Sequence, residues 1–382
     1  MKTELALKLL VDVMGWQDLT AATEEIGKIE YLANVKYDTY RNFEPGRRFL
    51  ESLTLWLRQF ATLEERRIAY DFVMHRMLYV SEVQIDHLVG LLYPQRALPI
   101  ILKQACEATG YSPYQVRRIR SSDAFKAIQR KTLFLGMSDG ARMDAFRRKN
   151  ALHNDQVSVS YELNLPKWER MHEALEKDLK RAGYDEHACF ENIFLVDDFS
   201  GSGNSILKIQ DGEFKGKLWR FVDDALGCKA EPKCLGKLCN RDGPRLYIVT
   251  YIAGEQAIAD LRQRVDSFLA SDKKPHLSSC EILDPLQMLN RSLTIPQSGN
   301  DNDELFDEML FDYYDSRIED EHTRTGGKNV IHGYAECALP LVLSHNCPNN
   351  SVYLLWAQAE KTDDCPGLKG LFPRTSRHME GR

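Results

Sequence analysis

The sequence predicts an α/β fold in which a parallel sheet is preceded by an all-helical N-terminal region. Three observations carry this. Short continuous apolar runs at 132–137 (TLFLGM), 193–196 (IFLV) and 245–252 (RLYIVTYI) have the length and composition of strands buried on both faces. Segments of helical period alternate with them: 167–182, closed by Gly183 at the C-cap position, and the stretch from Gly254 to Phe268, before a further strand at 277–283. Residues 1 to about 125, in contrast, read as helices throughout.

In residues 46–60, Phe49, Leu53, Trp56, Leu57 and Phe60 recur at helical spacing. Thr62 caps the next helix, 63–79, with Glu65 completing a capping box and Ile68, Phe72, Met74 and Leu78 supplying apolar positions. A shorter helix at 83–93 is expected to stop at Pro94. Such a stack suits a helical array, a helix-turn-helix or winged-helix reader, or a partner-binding module. The expected organisation is therefore a helical domain over 1–125, an α/β domain over 126–360, and a flexible tail over 361–382 containing Pro366, Gly367 and Pro373.

Composition sets the broad class. Hydrophobic content of 43% and charged content of 28% over 382 residues suit a soluble globular chain of two domains or more. No apolar run approaches the roughly 20 residues needed to cross a bilayer, so no membrane role is expected. The N-terminus reads as an amphipathic helix interrupted by Glu4, Lys8 and Asp12, and nine cysteines without a regular framework suit a reducing cytoplasm. Cys228, Cys234 and Cys239 lack the spacing of a zinc knuckle. The net charge of −6 is uneven: residues 1–150 hold 23 lysines and arginines against 18 acids, and the remainder 27 against 38. Within 103–149 the balance is 11 basic to 4 acidic, and YSPYQVRRIR (111–120) mixes tyrosines with Arg117, Arg118 and Arg120. This suits a nucleic-acid backbone or another anionic partner, and equally a solvated helical face.

The most informative stretch is 193–207, IFLVDDFSGSGNSIL. An apolar strand runs into Asp197 and Asp198, then into a loop of Gly201, Ser202, Gly203, Asn204 and Ser205, then into a helix-like start at Ile206. Glycines let backbone N–H groups close on an anion, serines add donors, and a helix N-terminus would add positive potential. Carboxylates beside a phosphate make sense if they accept bonds from sugar hydroxyls or hold Mg²⁺.

This arrangement resembles the PRPP-binding motif of type I phosphoribosyltransferases. The resemblance implies that Asp197 and Asp198 bind the ribose hydroxyls, directly or through Mg²⁺, as the catalytic acids, and that residues 201–205 bind the 5′-phosphate. Ser202 and Ser205 stand where Thr is common, and Ser200 replaces an apolar residue. It further implies a pyrophosphate-binding turn after the first core strand, here Ser138, Asp139, Gly140 and Arg142, and a mobile catalytic loop at 150–160, with Lys149, His153 and Gln156 the residues of interest. In 333–356 (GYAECALPLVLSHNCPNNSVYLLW), two strand-like segments flank Asn346, Asn349 and Asn350, which could recognise a base or leaving group.

Taken together, LGMSDGAR, VDDFSGSG and LVLSHNCPNNSVYLLW resemble a divergent phosphoribosyltransferase-like family encoded in bacterial conflict systems, including retron and other anti-phage loci. The resemblance implies a defence effector with a type I phosphoribosyltransferase-like fold; its substrate is not implied, and the motif reading expects an enzyme acting at ribose C1′ of PRPP or a phosphoribosyl nucleotide, with Mg²⁺ as cofactor. Its partners would include nucleic acid or a reverse transcriptase or other defence-system protein. The rival expectation is a non-catalytic module on the same fold that senses a nucleotide or docks a partner.

Overall fold

The computed structural model describes residues 3–184, 187–271, 275–363 and 367–374. In chain order its strands are β1 (Leu78–Val80), β2 (Thr132–Gly136), β3 (Val157–Ser158), β4 (Asn192–Ser200), β5 (Lys208–Gln210), β6 (Glu213–Lys215), β7 (Arg245–Gly254), β8 (Ser279–Ile282), β9 (Gln287–Leu289), β10 (Leu341–Leu343), β11 (Gln358–Ala359) and β12 (Leu368–Lys369). Packing divides the chain into two compact units, one of residues 1–85 with 290–382, the other of residues 86–289.

The second unit contains the parallel sheet, in the order β3–β2–β4–β7–β8, with β9 also on β7. The predicted apolar runs become its three middle strands because each is buried along its length. On one face Leu133, Leu135, Ile193, Leu195, Leu246 and Ile248 pack against Trp168, Met171 and Leu175 of the helix Leu165–Arg181 and Ile258, Leu261 and Val265 of the helix Glu255–Leu269. On the other, the rings of Phe134, Phe194 and Tyr247 stack in a row at 5.1 and 4.7 Å, and Tyr93 and Phe146 pack on Phe134. Helices therefore cover both faces, as a parallel sheet requires. The chain leaves β2 outward to β3, then returns to lay β4 on the opposite side of β2. This reversal opens a crevice at the C-terminal ends of β2 and β4.

Residues 86–125 belong to this unit and not to a separate helical domain. Gln104 exchanges hydrogen bonds with Asn192 of β4 and reaches the Tyr247 hydroxyl, and Ile101 and Leu92 are fully buried. Pro94 does not stop a helix here. It falls in a wide helical turn, Tyr93–Ala97, and the next helix runs from Leu98 to Thr109.

The first unit is helical with a small parallel pair, β1 with β10. Its expected apolar stripe holds: Phe49, Leu53, Trp56, Leu57 and Phe60 are completely buried. Thr62 and Glu65 form the capping box of the helix Leu63–Asp71. Here the C-terminal part of the chain returns to the N-terminal helices. The Trp56 indole donates to the Leu354 carbonyl at 2.8 Å. Residues 353–355, expected as a strand, form a tight helical turn inside this core. Residues 368–373 of the expected loose tail are packed: β12 pairs with β11, and the buried Phe372 ring stacks on Phe49 and Phe43. Residues 364–366, Pro366 among them, and 375–382 lie outside the described residues.

Candidate active site

The acid pair sits within β4, not beyond its end. Pairing with β7 continues past Asp197 (opposite Thr250) to Ser200 (opposite Ala253). Asp197 is 1% exposed, and Asp198 is the half-buried member. Burial and the neighbouring Asp198 charge push the Asp197 carboxyl above the usual carboxylate range, opposed by Lys217 and the Ser138 hydroxyl.

Lys217 was not among the residues singled out by sequence. It opens the short helix Lys217–Phe221, and its ammonium donates to Asp197 Oδ2 at 2.6 Å. The intervening chain explains why. After the loop at 201–205 no helix begins at Ile206; the β5–β6 hairpin follows instead. Gly216 then lies against the Ile206 carbonyl, where a Cβ would come within 2.5 Å, and the amides of Lys217 and Leu218 bond back to the carbonyls of Ser205 and Ile206. The hairpin thus folds out and returns Lys217 to the acid. The helix dipole expected to support the loop is absent at that place.

The turn after β2 meets the acids directly. The Ser138 hydroxyl contacts Asp197 Oδ1 and also lies 3.2 Å from Asp198 Oδ1. A hydroxyl carries one proton and so donates to one of the two carboxylates at a time. Gly140 packs on Asp198 so closely that a Cβ there would stand 2.1 Å from Oδ2. The buried Tyr251 of β7 fixes the same turn by donating to the Ala141 carbonyl at 2.6 Å. Arg142, in a left-handed conformation, turns its mostly buried guanidinium to Asp86 at 3.1 Å. Asp139 is exposed.

The phosphate-loop candidate is held from behind. Arg264, on the helix Glu255–Leu269, donates to the Ser202 carbonyl and to Asn204 Oδ1, each at 2.9 Å, and to the Leu207 carbonyl. With these oxygens drawn toward Arg264, the amides of Ser202, Gly203 and Ser205 meet no acceptor among the described residues. Gly203 takes φ +75°, and a Cβ there would press on the Ala257 carbonyl at 3.2 Å and on Leu261. Ser200, the departure from the apolar motif position, is buried with its hydroxyl unpartnered among the described residues.

Strands β2 and β4 therefore bring together the acids, the turn at 138–142 and the loop at 201–205. Residues 153–158 do not form an open loop: the amide of the buried Gln156 donates to the carbonyls of Gln129 and Thr132, and β3 pairs at the sheet edge. Lys149 donates to the Asp86 carbonyl, and exposed His153 lies 3.8 Å from Asp178. Asn346, Asn349 and Asn350 belong to the other compact unit. There Asn346 accepts from Asn42, and the buried Asn350 donates to the Tyr334 carbonyl.

Residues 53–374 match the model of the PRTase-CE family, most of the chain and parts of both compact units. The chain belongs to the PRTase-CE family. It is thus a member of a phosphoribosyltransferase-like family, as its motif at 193–207 implied. No curated protein and no solved structure matches it. No helix among the described residues of this PRTase-CE chain is long and apolar enough to cross a membrane. Lys217 and Arg264 lie 20 and 67 residues beyond Asp197, outside any local motif; only their basic character after an acidic strand could have drawn notice.

Proposed function

We propose that this PRTase-CE protein binds PRPP, or a related 5′-phosphoribosyl nucleotide, and acts at ribose C1′. The observation that carries the reading is the Ser138 hydroxyl lying against both Asp197 and Asp198 where β2 and β4 diverge. It joins the acid pair to the turn at 138–142, and the loop at 201–205 follows directly from the same strand. Ligands in open α/β sheets bind at such a crevice.

In this reading the loop amides hold the 5′-phosphate and the acid pair serves the sugar. The donor set fits Mg²⁺, which binds through one or two carboxylates and substrate phosphates and keeps several waters. Among the described residues no group of three or more His, Cys, Asp or Glu gathers as a metal cage. When bound, Mg²⁺ would neutralise pyrophosphate charge. The chain's own part is positioning and electrostatic stabilisation of an oxocarbenium-like centre. The proposed setting, a bacterial defence effector that alters a nucleotide pool, rests on the sequence resemblance. Incubation with PRPP and Mg²⁺, followed by ³¹P NMR, tests the activity: pyrophosphate should appear, alone or with an added base. Intact PRPP under all conditions would leave only the nucleotide-sensing alternative.

A second reading, of nucleic-acid binding, is favoured by one surface. In and beside the helix Val116–Ser121, Arg117 and Arg120 are exposed, Arg118 lies 4.1 Å over the Tyr111 ring, and Tyr114 is 95% exposed. Such a mixture suits stacking and phosphate contact with a single strand. Reversing Arg117, Arg118 and Arg120 to Glu should weaken binding that falls steeply with salt in the wild type. No salt-dependent binding would leave the surface a solvated face.

A further inference from the structure

Resting on the phosphoribosyl reading above, we propose that Lys208 and Lys215 form a second phosphate subsite beside the loop at 201–205. The ligand class it selects is a ribosyl 5′-diphosphate, in which the 5′-phosphate held by the loop carries a further phosphate.

The subsite is built by the β5–β6 hairpin. Its two turn residues, Asp211 and Gly212, both take positive φ, at 54° and 77°. That is the geometry of a tight two-residue hairpin turn, and it fixes the register of the strands. Lys208 falls directly opposite Lys215, Ile209 opposite Phe214, and Gln210 opposite Glu213. Opposed residues share a face, so the two lysine side chains leave the hairpin together, their Cβ atoms about 5 Å apart. Like charges placed this way destabilise a hairpin. Neither lysine forms an ion pair among the described residues, and Glu213, on the same face, stands opposite Gln210 nearer the turn. Two cations held side by side without a counter-charge are arranged to receive an anion.

The direction they face follows from one stripe of the helix Glu255–Leu269. Ala257 and Leu261 lie against Gly203, Arg264 holds the Ser202 and Leu207 carbonyls, and Phe268 packs on the Phe214 ring at 5.2 Å. These positions recur at i, i+4, i+7 and i+11, a single helix face. Loop and hairpin are therefore laid in succession along that face. Phe214 points toward it, so the lysines, on the alternate face of the hairpin, point away from it. The ligand side of the loop is likewise the side away from Arg264.

Chain connection brings the pair close to the loop. Lys208 follows Ser205 by three residues. The amides of Lys217 and Leu218 bond to the carbonyls of Ser205 and Ile206, which closes the base of the hairpin onto the end of the loop. The opposed lysines are the first pair of the hairpin beyond that closure.

Isothermal titration with PRPP, ribose 5-phosphate and ADP-ribose, all with Mg²⁺, tests the proposal. The last two both end in a free C1′ hydroxyl and differ at the 5′-phosphate, where ADP-ribose continues into a second phosphate and adenosine. Wild type should bind ADP-ribose at least tenfold more tightly than ribose 5-phosphate. Lys215→Glu makes the opposed pair attractive, so without ligand it should melt at or above the wild-type temperature. It should nonetheless lose the preference, the two affinities becoming about equal. A wild type without the preference overturns the proposal. So does a preference that survives in Lys215→Glu, which would assign the gain to the adenosine and leave the lysines a solvated face. Should Lys215→Glu melt well below wild type, the double variant Lys208→Gln/Lys215→Gln carries the same comparison. Wild type that binds neither PRPP nor ribose 5-phosphate refutes the phosphoribosyl reading itself. Binding of both, with no gain from the second phosphate, refutes the subsite alone.

Discussion

Gly140 and Asp198, 58 residues apart in sequence, are packed so that a methyl group on the glycine would overlap the aspartate carboxylate. The atom in the way is the far end of a side chain, not backbone, so it can swing aside without unfolding its surroundings. Gly140→Ala should therefore displace the Asp198 carboxylate at little cost in stability, within about 1 kcal/mol. PRPP affinity should fall at least tenfold while the thermal melt barely moves. A variant with full affinity would mean that Asp198 has no fixed role at the site.

Arg264 makes a different kind of contribution. Its guanidinium satisfies the carbonyls of Ser202 and Leu207 and the Asn204 side chain from the rear of the loop. Arg264→Leu would orphan these acceptors, at about 1–3 kcal/mol for a buried group left unpaired. Urea unfolding should show a lower midpoint with an unchanged slope, and PRPP binding should weaken together with it. A lower midpoint with undiminished affinity would separate loop order from ligand binding.

Gly203 is needed for its backbone conformation. With φ at +75° and the Ala257 carbonyl close by, even Gly203→Ala is strained. The left-handed conformation costs an ordinary residue roughly 1–2 kcal/mol. The melting temperature should drop by several degrees, in wild type-like buffer without any ligand. An unchanged melt would contradict the left-handed backbone described at Gly203.

These residues also show what the sequence could reveal. Strands β2, β4 and β7 were legible because burial on both faces demands continuous apolar runs, and such runs are rare. The acids and the loop were legible because they follow one of those strands without a break. Lys217 was hidden by a hairpin whose length is not encoded near the acids, and Arg264 by its place on an amphipathic helix, where an arginine is unremarked. The domain boundary was misplaced for a related reason. Helical periodicity at 86–125 shows that one face is apolar but not that a sheet will cover it. Likewise Phe372, in a stretch marked by proline and glycine, gives no local sign that it will be buried among Tyr40, Phe43 and Phe49.

The central claim is that residues 138–142, 197–198 and 201–205 form one phosphoribosyl site. Isothermal titration of the wild-type chain and Asp198→Asn with PRPP, each with and without Mg²⁺, tests it most directly. The expected result is one binding event per chain for the wild type, strengthened by Mg²⁺ and lost in Asp198→Asn. No binding by the wild type, or equal binding by the variant, would contradict the claim.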